Sequence, residues 1–479
     1  MKITKILKMA AVSLIAALTA FGSAACDFSE SKSAYDIAVE NGSFVGTEEE
    51  WLLSLKGKDG EDAKSPTIEE IYEAWLGQGN EGSFNDFLKE YLNVNVSETN
   101  DTDTIAKNVM SVVSVYCAFD YQLEYKVGYY VTETLNYKKN AAGSGVVYWL
   151  DKENGNALVI TNYHVVYGAA SLDENHISDE IWLYPYGGLM SFTRTSYKTL
   201  TVNNEEKDYT TGVDGGAGGI RATYIGGSMT YDVAVLEVSG SSVLRESEMV
   251  AAEIGDSNTV RVGEKVYAIG NPEGDGISVS EGVLSVDSEY ISMTGADTVT
   301  ELDFRVMRTD AAINHGNSGG ALFDSQGKLI GIPSAKNVEK DVENMGYALP
   351  INQVMNVVGN LKANGLKVKR ATLGVKIGTT DSKAVWDEQS KRLKIVEEIA
   401  ISSVDVRSVA DVCGLEANDV LVSAQVNGGE TVAIERRYHV IDLMLTIREG
   451  DTLTLKVLRK GIEKTVTITF YSDYFNEIA

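Results

Sequence analysis

Basic residues, histidine, cysteine, proline and long apolar runs are all scarce in this sequence, and each shortage excludes something. Lys and Arg number 42 against 69 Asp and Glu, a formal net charge of −27. A phosphate backbone needs clustered cations, so nucleic acid is excluded as a partner. The 4 histidines and 3 cysteines show no ligand spacing, so neither a metal nor another cofactor is expected. After the N-terminus no stretch is long and apolar enough to cross a bilayer. Only 5 prolines stand beside 45 glycines and 24 tyrosines, which leans toward β-structure with many tight turns. At 479 residues the chain is too long for one core, and length suggests roughly three domains.

What the N-terminus does contain is an export signal. Lys2, Lys5 and Lys8 precede a thirteen-residue apolar stretch, 9–21, and small residues lead to Ala24, Ala25 and Cys26. That core is short for a membrane span and right for a signal peptide, here 1–25. Cys26 after two alanines resembles the cleavage site of bacterial lipoproteins, where the cysteine is lipidated and becomes the new N-terminus. Ser23 departs from that pattern, which usually has Leu there. The preferred reading is a lipid anchor on the outer face of the cell membrane, because a polar, acidic tether follows at once. The alternative is ordinary cleavage, with Cys26 incidental and the protein secreted. Cys117 and Cys413 could then pair in an exported protein, but the sequence does not bring them together, and two buried free thiols are the expectation.

Residues 27–103 hold 19 Asp and Glu against 5 Lys, half of the chain's excess charge. Inside lies a degenerate repeat of about 37 residues, opened by Tyr35-Asp36-Ile37-Ala38 and by Tyr72-Glu73-Ala74-Trp75. Each unit runs through a glycine, Gly42 or Gly79, to a second helix-like stretch whose starts are Thr47 and Ser83. The expectation is a small N-terminal α-helical repeat region serving as an acidic spacer, with a wall or partner contact as the functional alternative. It resembles a short module of exported proteins of Gram-positive bacteria.

From about 108 to 350 the signals become β. Segments 145–150 (GVVYWL) and 157–161 (ALVIT) flank a turn containing Asn154-Gly155, a strong hairpin cue. Short strands follow at 231–238, 264–269, 282–286 and 305–313, and 321–332 folds back at Gly327. Such a series suggests a barrel or sandwich. Ile351, Val354, Met355, Val358 and Leu361 then share one helical face, which Gly365 stops. Residues 371–471 return to strands, with one amphipathic stretch at 436–447.

The chemistry gathers around residues 309–320, TDAAINHGNSGG. Gly-Asn-Ser-Gly-Gly is good turn material, and on this stretch alone a plain loop and a nucleophile at Ser318 stand level. A serine hydroxyl needs a base, and the base needs an orienting group. Among the histidines, His164 ends an apolar strand where a loop begins, a position that faces a cleft. His176 lies in a polar stretch, His315 is too near Ser318 in the chain to face it, and His439 sits in the last domain. Asp232 opens an alternating apolar strand, where a carboxylate is costly unless paired; an imidazole N–H would pair it. Taken alone, Asp232 also reads as a turn cap.

Together the order His164, Asp232, Ser318 is that of chymotrypsin-like proteases. An oxyanion formed by attack of Ser318 needs two donors about 3 Å away, and the backbone N–H groups of Gly316 and Ser318 suit that role.

VITNYHVV, YDVAVLEV, AIGNPEG and TDAAINHGNSGG resemble the HtrA (Deg) serine proteases in order and wording. Residues 367–475 resemble the PDZ domain that follows the protease, at 104–365, in that family. The resemblance implies a mainly β chain with two perpendicular six-stranded barrels of chymotrypsin type followed by the PDZ domain. It also implies an ATP-independent endopeptidase for unfolded, misfolded or damaged exported proteins, frequently a homotrimer. It makes His164, Asp232 and Ser318 base, orienter and nucleophile, and puts Gly316 and Asn317 in the oxyanion loop. Ile332, Pro333 and Ser334 fall beside the substrate's P1 side chain, where nothing charged is supplied, so a small or medium apolar P1 is expected. Thr372, Leu373, Gly374 and Val375 occupy the loop that would hold a peptide's C-terminal carboxylate. The family often has an aromatic residue at Thr372 and glycine at Asn418. His164 and Asp232 stand 68 residues apart, longer than the family pattern; the extra length lies in 171–222, where glycine-rich 212–219 is expected to be flexible and the insertion to cover the cleft or bind something. Two other readings stay open: a signalling protease governed by its PDZ domain, and a non-catalytic scaffold or chaperone binding unfolded chains.

Overall fold

The computed structural model describes residues 39, 45–47, 72–73, 75–77, 101–127, 131–202, 205–334, 345–388 and 392–478. The expected signal peptide 1–25, Cys26 and most of the acidic repeats lie outside the described residues. The chain divides into two compact units, residues 1–100 and 101–479. In the first, Tyr72 stacks on the buried Trp75 with ring centroids 6.0 Å apart, in a helical stretch where the sequence predicts the second repeat to open.

The second unit begins with helix α1 (Asp101–Val109), which the sequence reading divided between linker and protease. Six strands then close a barrel: β1 (Val112–Val127), β2 (Val131–Asp151), β3 (Asn156–Thr161), β4 (Glu180–Pro185), β7 (Ile220–Ser228) and β8 (Val233–Val238), in the order β1-β2-β3-β8-β7-β4. Its core is built by inward residues such as Val113, Val115, Cys117, Val147, Val159 and Leu236. Helix α2 (Tyr163–Val166) follows β3, and α3 (Ser242–Glu246) lies between the barrels in sequence. The second closed barrel comprises β9 (Lys265–Gly270), β10 (Ser278–Thr294), β11 (Glu301–Thr309), β12 (Ala321–Asp324), β13 (Leu329–Pro333) and β14 (Gly346–Pro350). A larger core joins the two, with Val146, Ile160 and Val235 from one barrel meeting Ile269, Phe323 and Ile332 from the other. Helix α4 (Ile351–Ala363) adds Val354, Val358 and Leu361 to that core, the face its spacing predicts.

Two features were not legible in the sequence. β1 and β2 pair without a break from Val112↔Val146 to Val127↔Val131, so the hairpin extends far beyond the barrel wall. Its outer half alternates exposed and half-buried residues, an amphipathic ribbon rather than an apolar strand. The long segment after His164 forms a second hairpin, β5 (Thr193–Val202) with β6 (Glu205–Asp214). Its glycine-rich end, expected to be flexible, is fastened: Tyr184 Oη and Ser191 Oγ both donate to Gly215 O, at 2.8 and 2.7 Å.

The C-terminal part of this unit holds a sheet of β16 (Val375–Asp387), β17 (Arg392–Val404), β18 (Val420–Val426), β20 (Thr452–Arg459) and β21 (Ile462–Thr469), with β19 (Thr431–Ala433) on β18. β15 (Val368–Ala371) pairs with β22 (Phe475–Ile478), and α5 (Val409–Val412) and α6 (Arg437–Thr446) complete it. α6 is fixed to the second barrel. The buried Arg305 guanidinium pairs with Asp442, stacks 3.3 Å from the Tyr438 ring centroid and donates to Ser288 Oγ at 3.0 Å. Burial raises the Asp442 carboxyl above its ordinary range against the pull of Arg305. Removing one partner of such a pair strands the other charge, so the contact is a fastening rather than a decoration.

Cys117 and Cys413 are free, but only Cys117 is buried. Cys413 ends the four-residue α5, which is too short to cover it, so the expectation of two buried thiols holds for one. Burial pushes the Cys117 thiol well above its ordinary range, foremost among causes that include nearby Asp173. Iodoacetamide is therefore expected to modify Cys413 in the folded protein and Cys117 only after denaturation, read by peptide mass mapping.

Candidate active site

His164 sits where strand turns into helix. β3 ends at Thr161, and the chain makes one helical turn, α2, instead of the predicted loop. Val165 and Val166 of that turn are drawn into the first barrel's core, which leaves the imidazole side chain 20% exposed. Asp232 lies in the turn before β8 rather than within the strand, at φ 52°, and is 1% exposed. That conformation is unusual for a side-chain-bearing residue and is best tolerated by Asn and Asp.

The two side chains meet. His164 Nδ1 lies 2.8 Å from Asp232 Oδ2 and 3.0 Å from Oδ1. A carboxylate only accepts, so Nδ1 carries the proton and Nε2 is left as the basic nitrogen. The His164 backbone N–H donates to Oδ1 at 3.1 Å, and Ser334 Oγ donates to Oδ2 at 3.3 Å. Asn162 Nδ2 donates to the Asp232 carbonyl at 2.9 Å. A buried carboxylate needs such partners, and this one has three donors from two residues, His164 of the first barrel and Ser334 of the second.

Ser318 lies in the second of two successive tight turns. Asn317 N donates to Asn314 O and Gly320 N to Asn317 O, each at 3.0 Å. Gly316 and Gly319 have φ of 92° and 83°. A Cβ on Gly319 would stand 2.3 Å from both Ser144 O and Thr161 Oγ1, so the glycine is demanded by packing as well as by φ. Ser144 N donates to Ser318 O at 2.8 Å, and Thr161 Oγ1 donates to Ser144 O at 2.7 Å. Gly319 N donates to Pro333 O at 3.0 Å. The serine loop is thereby fastened on one side to β2, which Thr161 of β3 holds in turn, and on the other to the segment touching Asp232. An imidazole oriented this way can take a hydroxyl proton, and paired backbone amides at such a loop can hold an oxyanion.

Ile332, Pro333 and Ser334 are all buried. Ser334 Oγ donates to Asp232, and the Pro333 carbonyl accepts from Gly319 N, so both serve the site's framework. Asn317 is buried with Nδ2 donating to Ala312 O at 3.3 Å. His176 is exposed, with ring Nδ1 2.9 Å from Ser171 O, and His315 is exposed. Burial holds the His439 ring below its ordinary range, in contact with Ala433 O. Among the described residues, Asp120, Asp173 and Asp179 are near enough to one another to share a cation. The Lys138 ammonium already lies 2.7 Å from Asp120 and 3.2 Å from Glu180.

Thr372, Leu373, Gly374 and Val375 line a groove of about 680 Å³ with Val440, Ile441 and Met444 of α6. The loop's shape is held by Gly374 at φ 71° and by Asp405 N donating to Gly374 O at 2.8 Å.

Two closed six-stranded barrels joined by a shared core, with histidine, aspartate and serine loop meeting at their junction, define the chymotrypsin class of peptidase fold. Residues 143–332 match the family described as trypsin-like peptidase domain. Within the class the curated relatives it matches are serine proteases of the HtrA (Do-like) type. It is 34% identical over 332 residues to the serine protease Do-like HtrB of Bacillus subtilis, covering 68% of this chain and 61% of that protein. To the serine protease Do-like HtrA of the same organism it is 32% identical over 338 residues, covering 69% and 63%. The HtrA of Lactococcus lactis subsp. cremoris matches at 28% identity over 423 residues, covering 84% and 88%. The match thus spans less than two thirds of the length of the two Bacillus relatives.

Proposed function

We propose that this chain is an ATP-independent serine endopeptidase that cuts unfolded or damaged exported polypeptides. The observation that carries the reading is the 2.8 Å contact of His164 Nδ1 with the buried Asp232 carboxylate, beside a tethered serine loop. His164 Nε2 takes the Ser318 hydroxyl proton as Oγ attacks the scissile carbonyl. The oxygen that becomes negative is held by the N–H groups of Gly316 and Ser318. His164 then returns the proton to the leaving amine, and water, activated by the same nitrogen, releases the acyl group. Asp232 keeps the tautomer and steadies the imidazolium without taking the proton itself.

The C-terminal part is read as a PDZ domain, its 370–377 edge and α6 taking a peptide as an added strand with its carboxylate at Thr372–Val375 amides. Arg370, Lys376 and Arg437 at the groove suit an anionic terminus. The groove favours the second reading, a signalling protease switched by such a peptide. Signal cleavage, the Cys26 anchor, the outer-face location and a homotrimer remain part of the proposal. A non-catalytic scaffold would have no use for the His164–Asp232 pairing.

The test is hydrolysis of reduced, unfolded β-casein by the purified chain without nucleotide, with and without peptides ending in a free or amidated C-terminus. Cleavage without ATP supports the main reading. Cleavage only with the free-carboxylate peptide favours the signalling protease, and casein binding without cleavage under either condition leaves the scaffold.

A further inference from the structure

One buried serine is neither nucleophile nor base, yet its backbone and side-chain bonds join the loop of one to the strand leading to the other. Ser144 lies in β2 between Gly143 and Gly145 and is fully buried. Its Oγ donates to Gly316 O at 2.6 Å and accepts from Asn271 N at 2.8 Å. Its N–H donates to Ser318 O at 2.8 Å, and its carbonyl accepts from Thr161 Oγ1 at 2.7 Å. Every polar group of this residue is engaged.

The two carbonyls held by Ser144 belong to Gly316 and Ser318, the residues whose N–H groups are assigned to the oxyanion. Glycine turns freely about φ and ψ, so Gly316 alone would not hold an amide in one direction. Fixing its carbonyl oxygen restrains ψ, because rotating ψ at Gly316 breaks the Ser144 bond. Ser144 is itself braced. Asn271 is secured by Gly276 N donating to its Oδ1 at 2.7 Å, and the same short loop is held by Tyr116 Oη donating to Gly274 O at 2.6 Å. Tyr116 in turn stacks on Phe192, ring centroids 5.4 Å apart, and meets Tyr184 edge-on at 5.5 Å. Phe192 immediately precedes β5 of the long inserted hairpin.

We infer that Ser144 is a positioning residue for the oxyanion loop, and that Tyr116, backed by the inserted segment, holds its support in place. The inference rests on the endopeptidase reading for its kinetic consequence but not for its structural one. Oxyanion stabilisation acts on the transition state, so loss of Ser144 lowers kcat and spares ground-state binding.

The experiment compares full-length wild type, Ser144→Ala and Tyr116→Phe in hydrolysis of a quenched fluorescent casein peptide, in inhibition by a peptidyl boronate, and in backbone amide exchange. Ser144→Ala is expected to lower kcat about ten- to a hundredfold, short of the 10²–10³ lost with a direct oxyanion donor. KM is expected to stay within about threefold while boronate affinity falls in parallel with kcat. Amides in 311–320 are expected to exchange faster in Ser144→Ala, and those in 271–276 in both variants. Tyr116→Phe, which removes one hydroxyl, is expected to lower kcat about two- to tenfold. Wild-type kcat with unchanged exchange over 311–320 in Ser144→Ala overturns the inference. If that variant does not fold, unchanged exchange at 271–276 and 311–320 in Tyr116→Phe overturns it. Should wild type show no hydrolysis while Ser144→Ala still loosens 311–320, the positioning role stands and the endopeptidase reading fails.

Discussion

Ser318→Ala is expected to reduce casein hydrolysis by about 10⁶-fold, to a residual set by binding and the oxyanion amides. The substitution removes one oxygen from a buried position and leaves untouched the bonds that shape the loop. Those bonds use the Ser318 carbonyl, the Gly319 and Gly320 amides and the Ser144 side chain. Stability is therefore expected to change by less than about 1 kcal/mol, the scale of one net hydrogen bond. Activity and folding should separate cleanly: denaturant unfolding near wild type, hydrolysis gone. A Ser318→Ala protein that cuts casein at the wild-type rate would mean that the nucleophile lies elsewhere.

Asp232→Asn is the second large effect, expected at about 10⁴-fold in kcat. Asparagine suits the φ of 52° at this position, so the backbone turn survives and the change isolates the charge. An amide facing Nδ1 with its NH₂ group would favour the tautomer protonated on Nε2, which cannot accept the serine proton. Facing it with its oxygen would restore the tautomer but not the stabilisation of the imidazolium. Three donors now converge on the Asp232 oxygens, from His164 Nδ1, His164 N and Ser334 Oγ, so a neutral replacement also leaves a weaker acceptor among them. Measured kcat/KM on the fluorescent peptide, with circular dichroism to confirm folding, reports the loss. A fall of less than about tenfold would show that the carboxylate is a turn cap and not an orienting group.

The site was legible because its residues announce themselves locally. Ser318 stands among glycines whose positive φ the turns require, and His164 ends a strand whose alternation is plain. YDVAVLEV alternates from its first residue and so reads Asp232 as strand, but alternation cannot reveal that Asp232 takes a left-handed conformation one step before the ladder begins. Asn418, noted as a departure from glycine, has φ of 70°, so asparagine fills a turn that glycine would otherwise serve. What escaped were features fixed only by tertiary pairing. The outer half of β1 and β2 and the hairpin β5–β6 are polar ribbons, which pattern reading treats as loop. Ser144 is an ordinary serine in the sequence and Ser334 reads there only as a neighbour of the P1 side chain; the fold alone brings their hydroxyls to Gly316 and Asp232. The lone hint for Ser144 was its place between two glycines inside a strand, a mark of close backbone approach.

The central claim is that His164 raises the reactivity of one hydroxyl, that of Ser318. A fluorophosphonate probe reads this most directly, with the adduct mapped by mass spectrometry after incubation of the full-length protein. The expected result is a single adduct on the peptide containing Ser318, lost in Ser318→Ala and strongly slowed in His164→Ala. Labelling spread over other serines, or an unchanged rate without the imidazole, would contradict it.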